Sequence, residues 1–263
     1  MHKIALVTGG TSGIGRETAL ALHRAGCRVY ELSRHDRAVE GLLHLTADIT
    51  DEASVQTAVE AILAAEGRID IVVNNAGFGI SGAVEYTDTA DAQRLMDTNF
   101  FGMVRVNRAV LPILHRQGSG RIVNISSVAG PIPIPFQTYY SAAKAAINAY
   151  TLALANEVRP YGITVCAVQP GDIRTGFTAA REKSIAGDEA YGGRISRSVG
   201  RMEHDEQTGM DPAAAGGFVA RVALKHSHKP LYTIGFSYKL FTLMVKVFPA
   251  RFINYLVSGL YAK

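Results

Sequence analysis

Residues 3–15 read KIALVTGGTSGIG. Residues 3–8 are an apolar run of strand length, the turn after them holds Gly9, Gly13 and Gly15, and residues 12–25 (SGIGRETALALHRA) carry apolar side chains at helical spacing. Strand, glycine-rich turn and helix in that order open a βαβ unit. Glycine lets a backbone approach a diphosphate closely, and the helix N-terminus that follows offers unpaired N–H groups to its charge. The spacing is TGxxxGxG rather than the commoner GxGxxG. A sharp strand-to-helix turn needs glycine with or without a ligand, so the turn alone is a weak signal. Its place on the first strand of such a unit directs it toward a dinucleotide.

Working outward, further strand-length runs follow at 28–32 (RVYEL), 42–47 (LLHLTA), 70–75 (DIVVNN), 121–126 (RIVNIS) and 163–168 (ITVCAV). They are mostly apolar rather than alternating, as strands covered on both faces of a parallel sheet are. Helical stretches lie between most of them, for example DEASVQTAVEAILAAEG at 51–67. This alternation predicts an α/β fold, a doubly wound parallel sheet, in a single domain spanning 1–263. Residues 172–211 are polar, contain glycine and show no period, and read as a mobile lid over the substrate; Asp211-Pro212 then restarts a helix as N-cap and first-turn proline. LYTIG at 231–235 is one more strand candidate, and residues 236–263 form an apolar, basic tail.

With 48% apolar residues and abundant glycine, the chain of 263 residues supports a large core and many tight turns. The formal charge of +4 is uneven: after Asp211 come Arg221, Lys225, Lys229, Lys239, Lys246, Arg251 and Lys263 with no acid, leaving −3 for everything before. Basicity confined to the tail argues against a nucleic-acid footprint over the body. Cys27 and Cys166 fall inside core elements and read as small buried groups in a reducing compartment, not as a disulfide. An apolar strand at the start leaves no room for a signal peptide, and no run long enough to span a bilayer is free of charge. The expectation is a soluble, cytoplasmic protein. The eight histidines are scattered, no His/Cys cluster has metal-ligand spacing, and His226 with His228 suits a solvated helix end, so no metal is expected.

YSAAK, residues 140–144, places a phenol and an ammonium four residues apart, hence on one helix face, with Ser and Ala between them. A free phenol has a pKa near ~10. An ammonium beside it favours the phenolate, so Lys144 is expected to tune Tyr140, whereas Tyr139 points elsewhere. Taken alone, YxxxK is equally a Tyr and a Lys on an amphipathic helix.

It does not stand alone. TGGTSGIG at 8–15, NNAG at 74–77, Asn99 in LMDTNFFG, NISS ending at Ser127, YSAAK, and PGDIRT at 170–175 occur in one order and at fitting distances. Over about residues 3–175 the chain resembles the short-chain dehydrogenase/reductase family. The resemblance implies hydride transfer between a nicotinamide and an alcohol or carbonyl carbon, with Tyr140 as acid in reduction and base in oxidation. It implies Ser127, with Ser126 as rival, as the hydroxyl that holds the substrate oxygen, and Asn99 as the residue that holds a water beside Lys144. Around the cofactor it implies Gly9, Thr11, Ser12 and Ile14 in the first turn, Asp48 and Ile49 at the adenine, and Asn75, Ala76 and Gly77 at the ribose and central channel. Pro170, Gly171, Ile173 and Thr175 match the segment that receives the carboxamide, and Tyr140 and Lys144 border the cofactor too.

Ser33 stands where an NAD enzyme of this family places an acid, and Arg34 beside it offers a fork of donors to a 2′-phosphate, so NADP(H) is expected over NAD(H). Val128, Ile132, Ile134 and Phe136, with Phe78, predict an apolar substrate: a steroid, retinoid or lipid-like ketone. A non-catalytic dinucleotide sensor should lack part of the Ser, Tyr, Lys set, which here is whole; a dehydratase or epimerase of the extended branch would bring a larger substrate domain and a TGxxGxxG turn. The family also implies a homo-oligomer paired through the helices carrying Asn99 and Tyr140. Pro249 divides the tail into two short helices, and packing over the substrate entrance or a subunit contact is favoured over an anionic lipid surface, because apolar residues surround each helix without forming one stripe.

Overall fold

The computed structural model describes residues 2–262. In chain order it contains β1 (Ile4–Thr8), α1 (Gly13–Arg24), β2 (Arg28–Ser33), β3 (Leu43–Thr46), α2 (Glu52–Glu66), β4 (Ile71–Asn74), β5 (Ile80–Ser81), α3 (Thr89–Met96) and α4 (Gly102–Gln117). There follow β6 (Gly120–Ile125), α5 (Thr138–Val158), β7 (Ile163–Gln169), α6 (Phe177–Ala180), β8 (Glu182–Lys183), α7 (Arg194–Gln207), α8 (Pro212–Leu224), β9 (Leu231–Thr233), α9 (Phe236–Val247) and α10 (Ala250–Tyr261).

Seven strands form one sheet in the order β3-β2-β1-β4-β6-β7-β9, every pair parallel. Every residue of β1, β4 and β7 is buried, which is why those runs read as continuous apolar stretches. One core cluster lies under α2, α4 and α5, with Ile62, Val110 and Leu154; the other lies under α1 and α8, with Leu22 and Val219. Helices α1 and α8 approach closely because Gly216 carries no side chain: a Cβ there would sit 2.5 Å from Glu17. Strand order reverses between β1 and β4, and that reversal opens a crevice at the carboxyl ends of the strands.

Residues 172–211 are not aperiodic, as the sequence suggested. They hold α6, β8 paired with β5, and the 14-residue α7, whose buried face is Ile195, Ser198, Val199 and Met202. Only three apolar residues at i, i+4 and i+7 mark that face, among arginines and acids, so the helical period was hidden by the polar residues around it. Those three pack with Ala83 and Phe136 as a separate small core.

The tail forms two helices divided at Phe248 and Pro249, as expected. Its inner side is docked: Tyr238 occupies the space that a Cβ on Gly171 would need, and its hydroxyl donates to the Asp172 carboxylate. The Tyr261 hydroxyl donates to Asp205 at 3.2 Å, and Arg194 donates to the Ala262 carbonyl at 2.6 Å. Apolar residues do surround α9, and on its outer side the structure exposes Phe236, Leu240, Leu243 and Val247 at i, i+4, i+7 and i+11 as a stripe, with Phe241 exposed off it. Lys263, counted with the tail's charges, lies outside the described residues.

Candidate active site

The turn after β1 and the turn after β4 are tied together. The Thr8 hydroxyl accepts the backbone N–H groups of Asn75 (3.0 Å) and Ala76 (3.1 Å), and the Asn75 amide donates to the Thr8 and Gly9 carbonyls (3.1 and 3.2 Å). Gly9 and Gly13 adopt the left-handed conformation, and a Cβ on Gly9 would come within 3.0 Å of the Ala76 Cα. Ser12 begins α1 without a side-chain cap, and no acid occupies the first turn. The first-turn N–H groups and the positive end of the helix dipole are therefore left for an anion.

A cleft of about 810 Å³ runs along the carboxyl edge of the sheet. Gly9, Thr11, Ser12 and Ile14 line it beside α1; Arg34, Asp48 and Ile49 line its end near β2 and β3. Asn75, Ala76 and Gly77 line its middle, and Pro170, Gly171, Ile173 and Thr175 the stretch beyond β7. The structure brings all these sequence-predicted residues into one cavity together with Ser127, Tyr140 and Lys144.

Asn99 is the exception. It sits behind the wall, buried, in a π-helical turn between α3 and α4, where its side-chain oxygen accepts from the Phe78 N–H (2.9 Å) and its amide donates to the Phe78 carbonyl (2.8 Å). These bonds fix the backbone after Gly77. A Cβ on Gly77 would meet the Asn99 oxygen at 2.8 Å.

The choice between the two serines is made by hydrogen bonding. Ser126 is buried and donates to the Lys144 carbonyl at 2.9 Å, which commits it to the strand end. Ser127 lines the cleft within hydrogen-bonding reach of Tyr140. Tyr139 packs with Ile80 and Leu95 instead, and is not part of the cleft wall.

Lys144 donates from Nζ to the Ile125 carbonyl at 2.8 Å and lies 5.4 Å from the centre of the Tyr140 ring. The acidification expected of Tyr140 is outweighed: burial pushes its phenol up to about 12, the Ser127 hydroxyl and the Arg181 guanidinium pull the other way, and the Asp172 carboxylate adds to the rise. Burial likewise lowers Lys144 to about 8. Burial thus favours the protonated form of the Tyr140 phenol.

Beyond Tyr140 the wall carries Phe78, Val128, Ile134, Phe177 and Met202 beside Arg94, Gln137 and Glu182. Ile132 and Phe136 are not in it: Phe136, at a φ of 58°, is turned into the small core under α7. The sequence reading also missed several residues here. Arg181, its side chain fully buried, pairs with Glu206 and lies 5.5 Å from the Phe177 ring, which in turn is 5.7 Å from the Tyr140 ring. Its Nε and Nη1 have no hydrogen-bond partner. Glu206 and Tyr261 line the cleft, and so does Asp172, whose carboxyl burial raises. The last of these stood in the PGDIRT segment; the others come from stretches whose only signal is a pairing across distant residues.

The short chain dehydrogenase family matches residues 3–186, and the chain belongs to that family. It is 42% identical over 226 residues to a 3-ketodihydrosphingosine reductase of Bacteroides thetaiotaomicron, covering 85% of this chain and 84% of that protein. Among solved structures, a short-chain dehydrogenase from Streptomyces avermitilis superimposes with a TM-score of 0.83 at 32% identity, covering 92% of each chain. ElxO with NADP bound (TM-score 0.76, 27% identity, 91% of this chain and 100% of that one) is also similar. So is a 3-ketoacyl-(acyl-carrier-protein) reductase from Brucella melitensis complexed with NADH (TM-score 0.74, 27% identity, 88% and 96%). The chain is an oxidoreductase of a family that uses nicotinamide cofactors on small-molecule alcohols or carbonyls.

Proposed function

We propose that the protein reduces a long-chain, lipid-like ketone with NADPH. The observation that carries this reading is the placement of Ser127, Tyr140 and Lys144 in a nucleotide-sized cleft whose wall also carries Phe78, Val128, Ile134, Phe177 and Met202. The nicotinamide, when bound, supplies the hydride. The turn between β1 and α1 would hold the diphosphate, for its glycines leave the space and the uncapped helix leaves the donors.

Tyr140 donates its proton to the carbonyl oxygen, and the Ser127 hydroxyl holds that oxygen by a hydrogen bond. A phenol that burial keeps protonated suits reduction better than oxidation at neutral pH. Lys144 keeps a positive charge or a hydrogen-bond donor beneath the ring, anchored to the Ile125 carbonyl. Asn99 fixes the wall at Gly77 and Phe78 and acts on the site through it.

For the cofactor, Ser33 and Arg34 line the cleft with Asp48, and Arg34 lies near enough to help lower the Asp48 carboxyl, though burial opposes it and the Thr50 hydrogen bonds do more. A guanidinium and a hydroxyl, with no acid between them, favour a 2′-phosphate over a bare ribose. For the substrate, the apolar side chains of the wall accommodate an acyl-type chain, and Asp172 at its polar edge suits a cationic group near the ketone. The substrate named for the Bacteroides relative, a ketone on a long-chain amino alcohol, combines those features. Phe101 and Leu152 stand exposed in the segments after Asn99 and along α5, which supports subunit pairing there. Two free, buried cysteines support the proposed cytoplasmic location.

The experiment is NADPH oxidation by the purified chain with 3-ketodihydrosphingosine, a plain long-chain ketone and an aldohexose as substrates. Turnover of the first two and none of the sugar supports the reading. Activity on the sugar alone, or equal kcat/KM with NADH and NADPH, would overturn its substrate or its cofactor part respectively.

A further inference from the structure

Two features near the C-terminus are not used by the chemistry. The first is the outer face of α9. Among the described residues, nine of the sixteen exposed large apolar side chains lie between Phe236 and Leu260, and four of them form the α9 stripe, with Phe236 86% and Val247 69% exposed. Single exposed apolar residues are ordinary, but a contiguous stripe on one short helix is not. The second is a cavity of about 730 Å³ between α8, β9 and α9, separate from the catalytic cleft. Arg221, Lys225, Lys229, Lys239 and Lys246 line it, no acid does, and its apolar lining includes Leu243 of the stripe.

From this juxtaposition we propose that α9 lies on the surface of a membrane rich in anionic phospholipid, with the stripe in the acyl boundary and phosphate headgroups in the basic cavity. A helix with an apolar stripe flanked by lysines is built for the interface plane, since the lysine stems reach along the apolar face while their charges stay with the headgroups. Lys239 and Lys246 border the stripe on one side, and no acid follows Asp211 anywhere in the chain to oppose the attraction. Charge decides against a second copy of the chain as occupant: two such faces meeting about a two-fold axis would set five cations against five. No helix among the described residues is long and apolar enough to cross a membrane, so contact at the surface is the mode that fits. The inner face of the same helix carries Tyr238 to Asp172 in the cleft, so a docked α9 would hold the cleft next to the lipid phase.

The test is co-sedimentation of the full chain with vesicles of phosphatidylcholine alone, or with about 30% phosphatidylglycerol. It reads binding and not turnover, so it stands or falls apart from the reductase assignment. Expected are pelleting with the anionic vesicles, little with the neutral ones, and release between about 0.1 and 0.5 M salt. Each cation removed should weaken partitioning about fivefold, so Lys239→Gln with Lys246→Gln should weaken it about 25-fold. Leu240→Ser with Leu243→Ser should release the protein too, and both pairs should leave reduction of a water-soluble ketone unchanged. Failure of the folded wild type to bind anionic vesicles would overturn the proposal, as would equal binding to neutral ones or pelleting that neither pair of substitutions alters. A dimer broken by the two serine substitutions, without vesicle binding, would assign the face to a second copy. Thermal stabilisation by inorganic phosphate without vesicle binding would make the cavity a small-anion site; either result rejects the membrane.

Discussion

Up to Thr175 the chain is organised by a slab of buried strands; from Gly176 to Met210 it is held by pairs of side chains. In the first region the walls of the cleft are backbone turns at strand ends, fixed by bonds such as those from the Asn75 and Ala76 N–H groups to the Thr8 hydroxyl. In the second, Arg181 meets Glu206, Lys183 meets Glu203, and Arg94 reaches across from α3 to Glu182. Apolar burial there is limited to the small core under α7. A site assembled this way has a rigid half that sets the geometry of the reaction and an electrostatic half that can be retuned by single substitutions. Altering the first should remove chemistry; altering the second should change stability, pH dependence and substrate choice.

The largest effect is expected at Tyr140. Tyr140→Phe should lower kcat by 10²–10⁴-fold, the usual contribution of a positioned acid, while NADPH binding followed by fluorescence stays intact. Tyr139→Phe should do little, since that ring packs against Ile80 and Leu95 outside the cleft. The reverse ranking would break the comparison at its rigid end.

Arg181→Met tests the other half. Its side chain is fully buried and Glu206 is nearly so, and removing one member of a buried pair costs about 3 kcal/mol because the other charge is left without its partner. For a chain of this size that is a fall in Tm of roughly 6–12 °C. The substitution also removes a positive charge that lowers the Tyr140 pKa. The phenol should therefore titrate at higher pH, and the limb of alcohol oxidation that needs the phenolate should move upward. Arg181→Met with Glu206→Met should recover stability but not the pH profile. A double variant with the wild-type profile would show that Arg181 only supports the fold.

Much of the first region could be read in the sequence, and the reason is physical. A backbone that must turn left-handed at Gly9 and Gly13, or approach a ligand closely, restricts the residue types at fixed spacing, and buried parallel strands write long apolar runs. Ser127, Tyr140, Lys144 and the expected cofactor residues came from the family resemblance that those signals anchor, and the structure places them along one cleft. Arg181 and Glu206 were not, because a pair 25 residues apart leaves no period. The same limit hid α7, where three apolar residues specify a helix. The stripe on α9 was missed for a different reason: the half-buried Tyr238 and Val245 side is as apolar as the exposed side, and only the packed structure separates them.

Arg34→Ala should be a smaller effect than either. Loss of a charged donor to a 2′-phosphate should reduce the preference for NADPH over NADH about tenfold, by the strength of a hydrogen bond to a charged group, with kcat for the best cofactor unchanged. An unaltered preference would leave the selection to Ser33 and His35, which line the same end of the cleft. It would then rest on other side chains of the rigid region.

The smallest effect is expected where the two regions meet. The Tyr238 hydroxyl donates to Asp172, which lowers a carboxyl that burial otherwise raises above its ordinary value of 3.8. If Asp172 faces the cationic group of an amino ketone, its charge helps binding only above its own pKa, so KM for that substrate should rise as pH falls through it. Tyr238→Phe removes the donor, raises the carboxyl further and moves that rise to higher pH. At neutral pH KM should change only a few-fold, the worth of one hydrogen bond. A plain long-chain ketone serves as the control, because without a cation it gains nothing from the charge and its KM should be flat over the same range. An equal shift for both substrates would mean that Tyr238 acts by seating α9 against Gly171, not through Asp172, and the junction would then belong to packing and not to charge.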